Sequence, residues 1–376
     1  MKSFIMGLNS YLILSVYSIG LLLSCTCIER KISVKGNLAV YDIETTVDSM
    51  VAKYFLENYL AGKKTDTLLD DKIAQLINTY KNALPTQNDL AQISAEYSVD
   101  FAALFWAWQV LQQKENKLVQ KKFLAAMDEI EANEGENWQY DHLVILVPGL
   151  DYEEHGHATG ADLGQARKIL SKIGMPTLFV RIPAIGPVEK NASMIADVIK
   201  KTRFRKVIIA GPSSAGPAIH YALSQGLPLA QAKKVLAWLN LGGIVKGSPL
   251  VDWADSGFTC PLWRLVLWNK GWEYAAFASL SQEIREPQFK KMQLPNHIKV
   301  FNYIGLSLSG DISRFSEDKY CILKSAGPND GLAYLPDMLI PRSYTIIAPT
   351  SDHFFAEDPE IDLKTLALLK TIMNFI

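Results

Sequence analysis

The sequence predicts an α/β fold in which a mostly parallel sheet carries helices on both of its faces. Two patterns in residues 141–376 indicate this fold. Short apolar segments rich in β-branched residues alternate with amphipathic segments of helical length, and strands that are separated by helices lie parallel in their sheet. The apolar segments are also continuous, as at residues 207–210, which is typical of strands whose two faces are both covered.

The individual elements follow from the same alternation. Each predicted strand is a short apolar segment, and each predicted helix repeats apolar residues at spacings of three and four. Strands are predicted at 142–147, 177–182, 206–210, 235–241, 299–304 and 344–347. Helices are predicted at 163–173, 192–201 and 362–376, and after Gly216. A polar, glycine-containing segment at 133–137 precedes the first strand, so this region begins at about residue 141.

Residues 30–140 are predicted to form an all-helical N-terminal region. Apolar residues recur there at spacings of three and four, for example at Leu69, Ile73 and Leu76. The segment 86–89 follows a proline and is typical of a helix start. No function is indicated for this region.

The first 27 residues are predicted to be an export signal. Lys2 precedes an almost wholly apolar stretch at 11–23, and Cys25 follows in the segment Leu-Leu-Ser-Cys. This segment resembles a bacterial lipoprotein signal, in which the cysteine becomes the lipidated first residue, and Thr26 in place of aspartate favours the outer membrane. Another secretion signal, or an uncleaved anchor of about 18 residues, is the alternative. All three place the folded body outside the cytoplasm.

Composition limits the partners of the protein. Hydrophobic residues make up 49% and charged residues 20% of the chain, as in a packed globular protein. The formal net charge of −1 produces no field that concentrates nucleic acid, so we predict no nucleic-acid partner. Cys260 and Cys321 are the two cysteines of the folded body, and they either form a disulfide or remain buried thiols.

The segment Ala-Gly-Pro-Ser-Ser-Ala-Gly at 210–216 lies where a predicted strand ends and a helix begins. A nucleophilic serine at such a turn needs small residues two positions before and after it, because the strained backbone brings those positions together. Around Ser213 these neighbours are glycine and alanine, whereas around Ser214 one of them is proline, which fits a close approach poorly. Ser213 is therefore the predicted nucleophile, with Ser214 as the alternative.

His353 is the predicted general base. It lies in a loop at the carboxyl end of the last predicted strand, from which it can reach a serine at the same edge of the sheet. His220, in the helix after the turn, is predicted to pack in the interior, and His297 is predicted to face solvent.

Asp330 is the predicted acid that orients the imidazole. It lies in a turn flanked by glycines, which can project a carboxylate from a loop near the sheet edge. Asp311 also follows a predicted strand and remains an alternative, because one sequence does not define the path of a loop. Asp352 adjoins His353, but neighbouring side chains point apart in an extended chain.

Two backbone amides are predicted to bind the oxyanion of an acyl-transfer reaction. One is that of Ser214, directly after the nucleophile. The other is that of Leu150, which follows the first strand of the sheet, where Gly149 lets the backbone come close.

These motifs resemble those of the α/β-hydrolase family, especially its lipases and esterases, over residues 142–376. The family's nucleophile, acid and base correspond to Ser213, Asp330 and His353 of this sequence. Ala215 departs from the family pattern, which usually has glycine there. The resemblance implies a serine hydrolase that cleaves carboxylic esters through an acyl-enzyme, with no metal or organic cofactor.

Other functions remain open at this point. The same three side chains would serve a thioesterase or an amidase. An exported protein that keeps the sheet but binds a partner without catalysis is an alternative from another class. The acidic and histidine residues of segment 151–157 could bind a hydrolytic metal, but they lack the ligand spacings of known zinc motifs, so we predict no metal site.

An insertion at about 252–296 interrupts the strand-helix alternation and is predicted to form a cap over the active face. It contains Trp253, Trp263, Trp268 and Trp272. Such side chains suit a lipid-facing lid or a hydrophobic acyl pocket, or they fill the core of the insertion itself. Together with the predicted tether to a membrane, they favour a hydrophobic ester or a lipid as the substrate.

Overall fold

The computed structural model of the chain describes residues 31–132, 141–257, 259–355 and 358–376. The predicted export signal, residues 1–27, lies outside the described residues. Among the residues that are described, no helix combines the length and the hydropathy that a membrane crossing requires.

The N-terminal region begins with a β-hairpin. Strand β1 (Ile32–Leu38) pairs antiparallel with β2 (Tyr41–Val47), so the prediction that this region is all helical is wrong for these residues. Alternate residues of each strand face inward, and most of these are apolar. Gly36 of β1 and Thr45 of β2 interrupt this pattern. Gly36 fits its inward position because a Cβ there would lie 2.7 Å from the carbonyl oxygen of Leu56.

Helices follow the hairpin as predicted. They are α1 (Met50–Tyr54) with a π turn at Phe55–Tyr59, α2 (Thr67–Thr79), α3 (Gln87–Glu96), α4 (Val99–Gln112) and α5 (Lys114–Ala132). Helix α3 starts at the predicted position, where Thr86 and Asp89 form a capping box. Helix α4 is apolar around most of its circumference and is correspondingly buried.

A six-stranded parallel sheet forms the centre of the molecule, as the sequence predicts. Its strands are β3 (Leu143–Leu146), β4 (Thr177–Phe179), β5 (Val207–Pro212), β6 (Val235–Leu241), β7 (Lys299–Leu306) and β8 (Tyr344–Pro349). They lie in the order β4-β3-β5-β6-β7-β8, and each neighbouring pair is parallel. The carboxyl ends of all six strands therefore meet at one edge of the sheet.

Helices connect the strands and cover both faces. Those of the alternating part are α6 (Gly156–Thr159), α7 (Gly164–Lys172), α8 (Val188–Lys201), α9 (Ala215–Tyr221) and α10 (Leu229–Ala232). The insertion between β6 and β7 contains α11 (Pro249–Ala254), α12 (Thr259–Asn269), α13 (Tyr274–Ala278) and α14 (Gln282–Lys291). The chain then forms α15 (Glu317–Leu323), 3-10 turns at Lys324–Ala326 and Leu335–Met338, and α16 (Ile361–Met373). Cys260, in α12, is a free thiol, so it forms no disulfide with Cys321.

The N-terminal region shares its core with the sheet. The hairpin and α4 pack with α8 and α9 on one face, whereas α5, α7 and α16 cover the other. Asn116 and Gln120 of α5 accept hydrogen bonds from the backbone N–H groups of Thr345 and Ile347, at 2.8 and 3.0 Å. These two side chains satisfy the open edge of β8 in place of a further strand.

A buried carboxyl group joins this region to the loop after β7. Asp100 is fully buried in α4 and accepts hydrogen bonds from the N–H groups of Asp48, at 2.7 Å, and Ser309, at 3.1 Å. Burial, and then the nearby charge of Asp48, raise the pKa of Asp100 to about 8. The protonated form is therefore the one that the fold accommodates at neutral pH.

This carboxyl makes the stability of the protein depend on pH. Between about pH 4, the usual range of an unfolded aspartate, and about pH 8, the folded chain holds a proton that the unfolded chain has released. We therefore expect the free energy of unfolding to fall as the pH rises through this range. Asp100→Asn, which keeps an acceptor oxygen, should flatten this slope in urea unfolding measured at several pH values. Parallel slopes for the two proteins would contradict the assignment.

Candidate active site

The turn between β5 and α9 holds Ser213 in a strained conformation. Its φ of 51° lies in the left-handed region, which costs free energy for a residue other than glycine. The turn is fastened on both sides, because the Ser213 N–H donates to the Leu241 carbonyl at 3.1 Å and its own carbonyl accepts from Gly216 at 2.9 Å. A Cβ on Gly211 would lie 2.7 Å from that of Ala215. The close approach that the sequence predicts around Ser213 is therefore present.

His353 and Asp330 form a buried pair beside this turn. The imidazole Nδ1 lies 2.7 Å from Asp330 Oδ2, and the two residues are 7% and 1% exposed. The other carboxylate oxygen accepts hydrogen bonds from the N–H groups of Leu332 and Ala333, both at 2.9 Å. The backbone N–H of His353 also donates to the Asp330 carbonyl, at 3.0 Å. These contacts fix the orientation of the ring, whose Nε2 has no hydrogen-bond partner among the described residues.

The two amides predicted to bind an oxyanion donate no hydrogen bond within the described chain. Gly149 and Asp151 donate their N–H groups to Ala161 and Ala184, at 2.8 and 2.9 Å, but the amide of Leu150 between them has no acceptor within the described chain. The amide of Ser214 likewise has none there.

The predicted residues meet at one cavity of about 860 Å³. Ser213, His353 and Leu150 all line it, at the carboxyl-terminal edge of the sheet. The nucleophile, base and acid proposed from the sequence are therefore near one another, although they are far apart in the chain.

The alternative residues lie elsewhere or face away. Ser214 has ordinary helical angles at the start of α9. Asp311 accepts a hydrogen bond from Thr45 Oγ1 of the hairpin at 2.6 Å, and Asp352 accepts from the N–H groups of Ser313 and Phe354. Asp330 is thus the carboxylate that meets His353.

His220 and His297 lie where the sequence predicts them. His220 is buried against the ring of Phe289, with centroids 4.8 Å apart, and burial lowers its pKa to about 4. His297 is exposed.

Comparisons with known proteins identify the architecture. No protein-family model matches the sequence, and no curated protein matches it. A metagenomic carboxyl esterase superimposes with a TM-score of 0.54 and 18% sequence identity, covering 69% of this chain and 93% of the esterase. The chain has the α/β-hydrolase fold. The mature form of a Bacillus licheniformis lipase superimposes with a TM-score of 0.48 and 21% identity, covering 62% of this chain and 90% of the lipase.

A cluster of acidic and histidine side chains lies at the rim of the cavity in this α/β-hydrolase fold. Ligand atoms of Asp151, Glu154 and His155 lie within 4.8 Å of one another. His155 Nδ1 is 2.6 Å from Asp151 Oδ2, and Lys270 of the insertion is 3.8 Å from Glu154. Lys270 supplies a positive charge to this cluster, so its geometry is that of a network of ion pairs at the surface.

The tryptophans of the insertion divide between the two roles considered for them. Trp272 lines the cavity beside Lys270. Trp263 stacks on Phe277 within the insertion, with centroids 5.9 Å apart, and Trp268 is 77% exposed. The insertion therefore reaches the cavity through its Lys270–Trp272 turn.

Sequence reasoning missed two groups of residues that line the cavity. Phe315 and Lys319 stand at its mouth beside Phe354, and burial lowers the pKa of Lys319. The second group lies deeper, between the sheet and helices α7 and α16. No sequence signal distinguishes its members, because apolar residues on a buried face have the same pattern whether that face is filled or hollow.

Proposed function

We propose that this protein is a serine hydrolase that cleaves carboxylic esters with a hydrophobic acyl group. One observation carries the proposal: the strained Ser213 shares a cavity with an imidazole whose Nδ1 is held by a buried carboxylate and whose Nε2 is unpartnered among the described residues. A tight turn, an oriented base and free backbone amides are the components that acyl transfer requires. The fold that the chain shares with a carboxyl esterase supports the same reaction class.

The mechanism follows from the roles of these groups. His353 removes the proton from Ser213, whose oxygen attacks the ester carbonyl, while the amides of Leu150 and Ser214 stabilise the oxyanion. The C–O bond to the alcohol then breaks, and His353 returns the proton to the departing oxygen. Water, activated by the same imidazole, finally hydrolyses the acyl-enzyme.

Covalent capture tests the proposal directly. A fluorophosphonate should label the full chain, and peptide mass spectrometry should locate the adduct on Ser213. An adduct on Ser214 would change the assignment of the nucleophile. If no adduct forms, the alternative of an exported protein that binds a partner without catalysis would be favoured.

The reaction class needs a second measurement, since a thioesterase or an amidase would give the same adduct. The apolar cavity supports a hydrophobic acyl group but does not distinguish these leaving groups. We expect nitrophenyl esters to be cleaved faster than the matched thioesters and anilides of the same acyl chain. A preference for either of the latter would replace the ester assignment.

We also propose that the protein acts outside the cytoplasm as a lipid-anchored protein, attached through Cys25. The support is the apolar stretch and the Leu-Leu-Ser-Cys segment of the sequence. An anchor of this kind would hold the hydrolase close to lipid substrates.

Lipid attachment predicts a clear effect of one substitution. In a bacterium that expresses the full chain and is fed an alkyne-labelled fatty acid, Cys25→Ala should lose the label because the acceptor thiol is absent. Cys27→Ala is the matched control and should keep it. A wild-type protein without label would instead indicate another secretion signal or an uncleaved anchor.

A further inference from the structure

The cavity does not end below Ser213 but continues along the sheet. Its floor consists of alternate residues of neighbouring strands, namely Val144 and Leu146 of β3, Ile208 and Ala210 of β5, and Leu239 and Leu241 of β6. Alternate residues of a strand point to the same face. The pairing of Val144 with Ile208 and of Leu146 with Ala210 aligns these residues in rows across that face.

Two helices form the roof of this deep part. Ala166 and Leu170 of α7 and Leu368 and Ile372 of α16 face the same space. Most of these floor and roof residues are less than a tenth exposed and belong to the hydrophobic core on this face. The core here is therefore hollow, whereas protein interiors are normally packed without voids larger than a water molecule.

The apolar deep part of the cavity fits an apolar ligand better than water. Buried water needs polar partners, and the floor and the four roof residues named above offer only hydrocarbon side chains. The whole cavity, from its mouth to this deep part, has a volume of about 860 Å³, which is within the range of ligand pockets. One end of the cavity lies at Ser213 and His353. A ligand would therefore have its reacting group there and its apolar body between the sheet and helices α7 and α16.

The length of the hollow sets the size of that body. Ile208 lies five positions before Ser213, which corresponds to about 16 Å at about 3.3 Å per residue. An extended hydrocarbon chain rises about 1.25 Å per carbon, from C–C bonds of about 1.5 Å. The hollow therefore accepts a linear chain of about a dozen carbons.

We propose that this hollow is an acyl-chain site, which makes the protein selective for esters of long linear fatty acids. The acyl carbonyl lies at Ser213, and the chain extends between the sheet and helices α7 and α16 toward Val144 and Ile208. The alcohol lies at the mouth, near Trp272 and Phe315. This inference deepens the proposed function and rests on it for the reaction, but the binding of the chain does not require catalysis.

Binding of free fatty acids to the full-chain Ser213→Ala variant tests the site without hydrolysis. In titration calorimetry with linear acids from four to sixteen carbons, each added methylene should raise the affinity by about fourfold until roughly a dozen carbons are buried. An affinity that stops rising at about six carbons would overturn the proposal. If the wild-type protein is not labelled by fluorophosphonate but the variant still binds fatty acids with this dependence on length, the acyl-chain site is retained and the proposed hydrolase function is refuted.

A plug in the middle of the hollow provides the second test. Ala210→Leu adds a branched side chain about 10 Å from the nucleophile, three residues away along β5. The ratio of kcat/KM for a dodecanoyl ester to that for a butanoyl ester should fall by more than about tenfold, since several methylenes lose their contacts. Ala166→Leu plugs the same space from α7 and should act alike.

Ala237→Leu is the matched control for the plug. Ala237 is fully buried on the same face, is paired with Ile208, and does not line the cavity. Its substitution should lower the melting temperature by overpacking and leave the ester ratio unchanged, whereas Ala210→Leu fills open space and should not lower it. An unchanged ester ratio in both plug variants would overturn the proposal.

Discussion

Replacing Ser213 by alanine is expected to lower kcat for ester hydrolysis by a factor of roughly 10³ to 10⁶. The hydroxyl is the atom that becomes acylated in the proposed mechanism, so its removal leaves only slow attack by water. The backbone hydrogen bonds of the turn involve the main chain of residue 213 and are retained. The measurement is single-substrate kinetics on a nitrophenyl ester, with circular dichroism to verify that the variant is folded.

Ser214→Ala separates the two serines of the turn. It keeps the backbone amide proposed to bind the oxyanion, so activity within about tenfold of wild type is expected. If instead the Ser214 variant were inactive and the Ser213 variant active, the assignment of the nucleophile would be wrong. Equal loss in both would indicate that the turn itself had been disturbed.

The sheet could be predicted from the sequence because its strands are buried on both faces. A segment such as Val207–Pro212 must then be apolar throughout, and this continuous pattern is distinct from that of the helices around it. The turn at Ser213 was also readable, since only small residues fit where Gly211 and Ala215 meet. In both cases a local steric or burial requirement is written directly into adjacent residues.

Other features depend on contacts between distant segments, and the sequence does not contain them. The hairpin escaped prediction because Gly36 and Thr45 occupy inward positions that only the packing of the folded chain explains. The choice between Asp311 and Asp330 depends on loop paths, which direct one carboxylate to Thr45 and the other to His353. The hollow beneath the nucleophile is likewise a property of how helices sit on the sheet.

Asp330→Asn is expected to lower kcat by a factor of about 10³ to 10⁴ with little change in KM. The asparagine oxygen can keep the two hydrogen bonds from the Leu332 and Ala333 amides, so the loop should retain its shape. Its NH₂ group then faces His353 Nδ1 and requires that nitrogen to accept, which places the ring proton on Nε2. An imidazole in that tautomer cannot take the proton of Ser213, so the variant should fail in chemistry rather than in binding.

Asp311→Asn is the matched control for this experiment. Asp311 also lies between β7 and β8, but its carboxylate accepts a hydrogen bond from Thr45 of the hairpin. This substitution should leave kcat near the wild-type value, and any effect should be on stability. Burial raises the pKa of Asp311 to about 6, whereas the amide of asparagine stays neutral at every pH. A loss of kcat in Asp311→Asn together with an active Asp330→Asn would reverse the two assignments. A large rise in KM for Asp330→Asn would mean that the carboxylate organises the substrate cavity. The proposal that Asp330 orients the imidazole of His353 would then be contradicted.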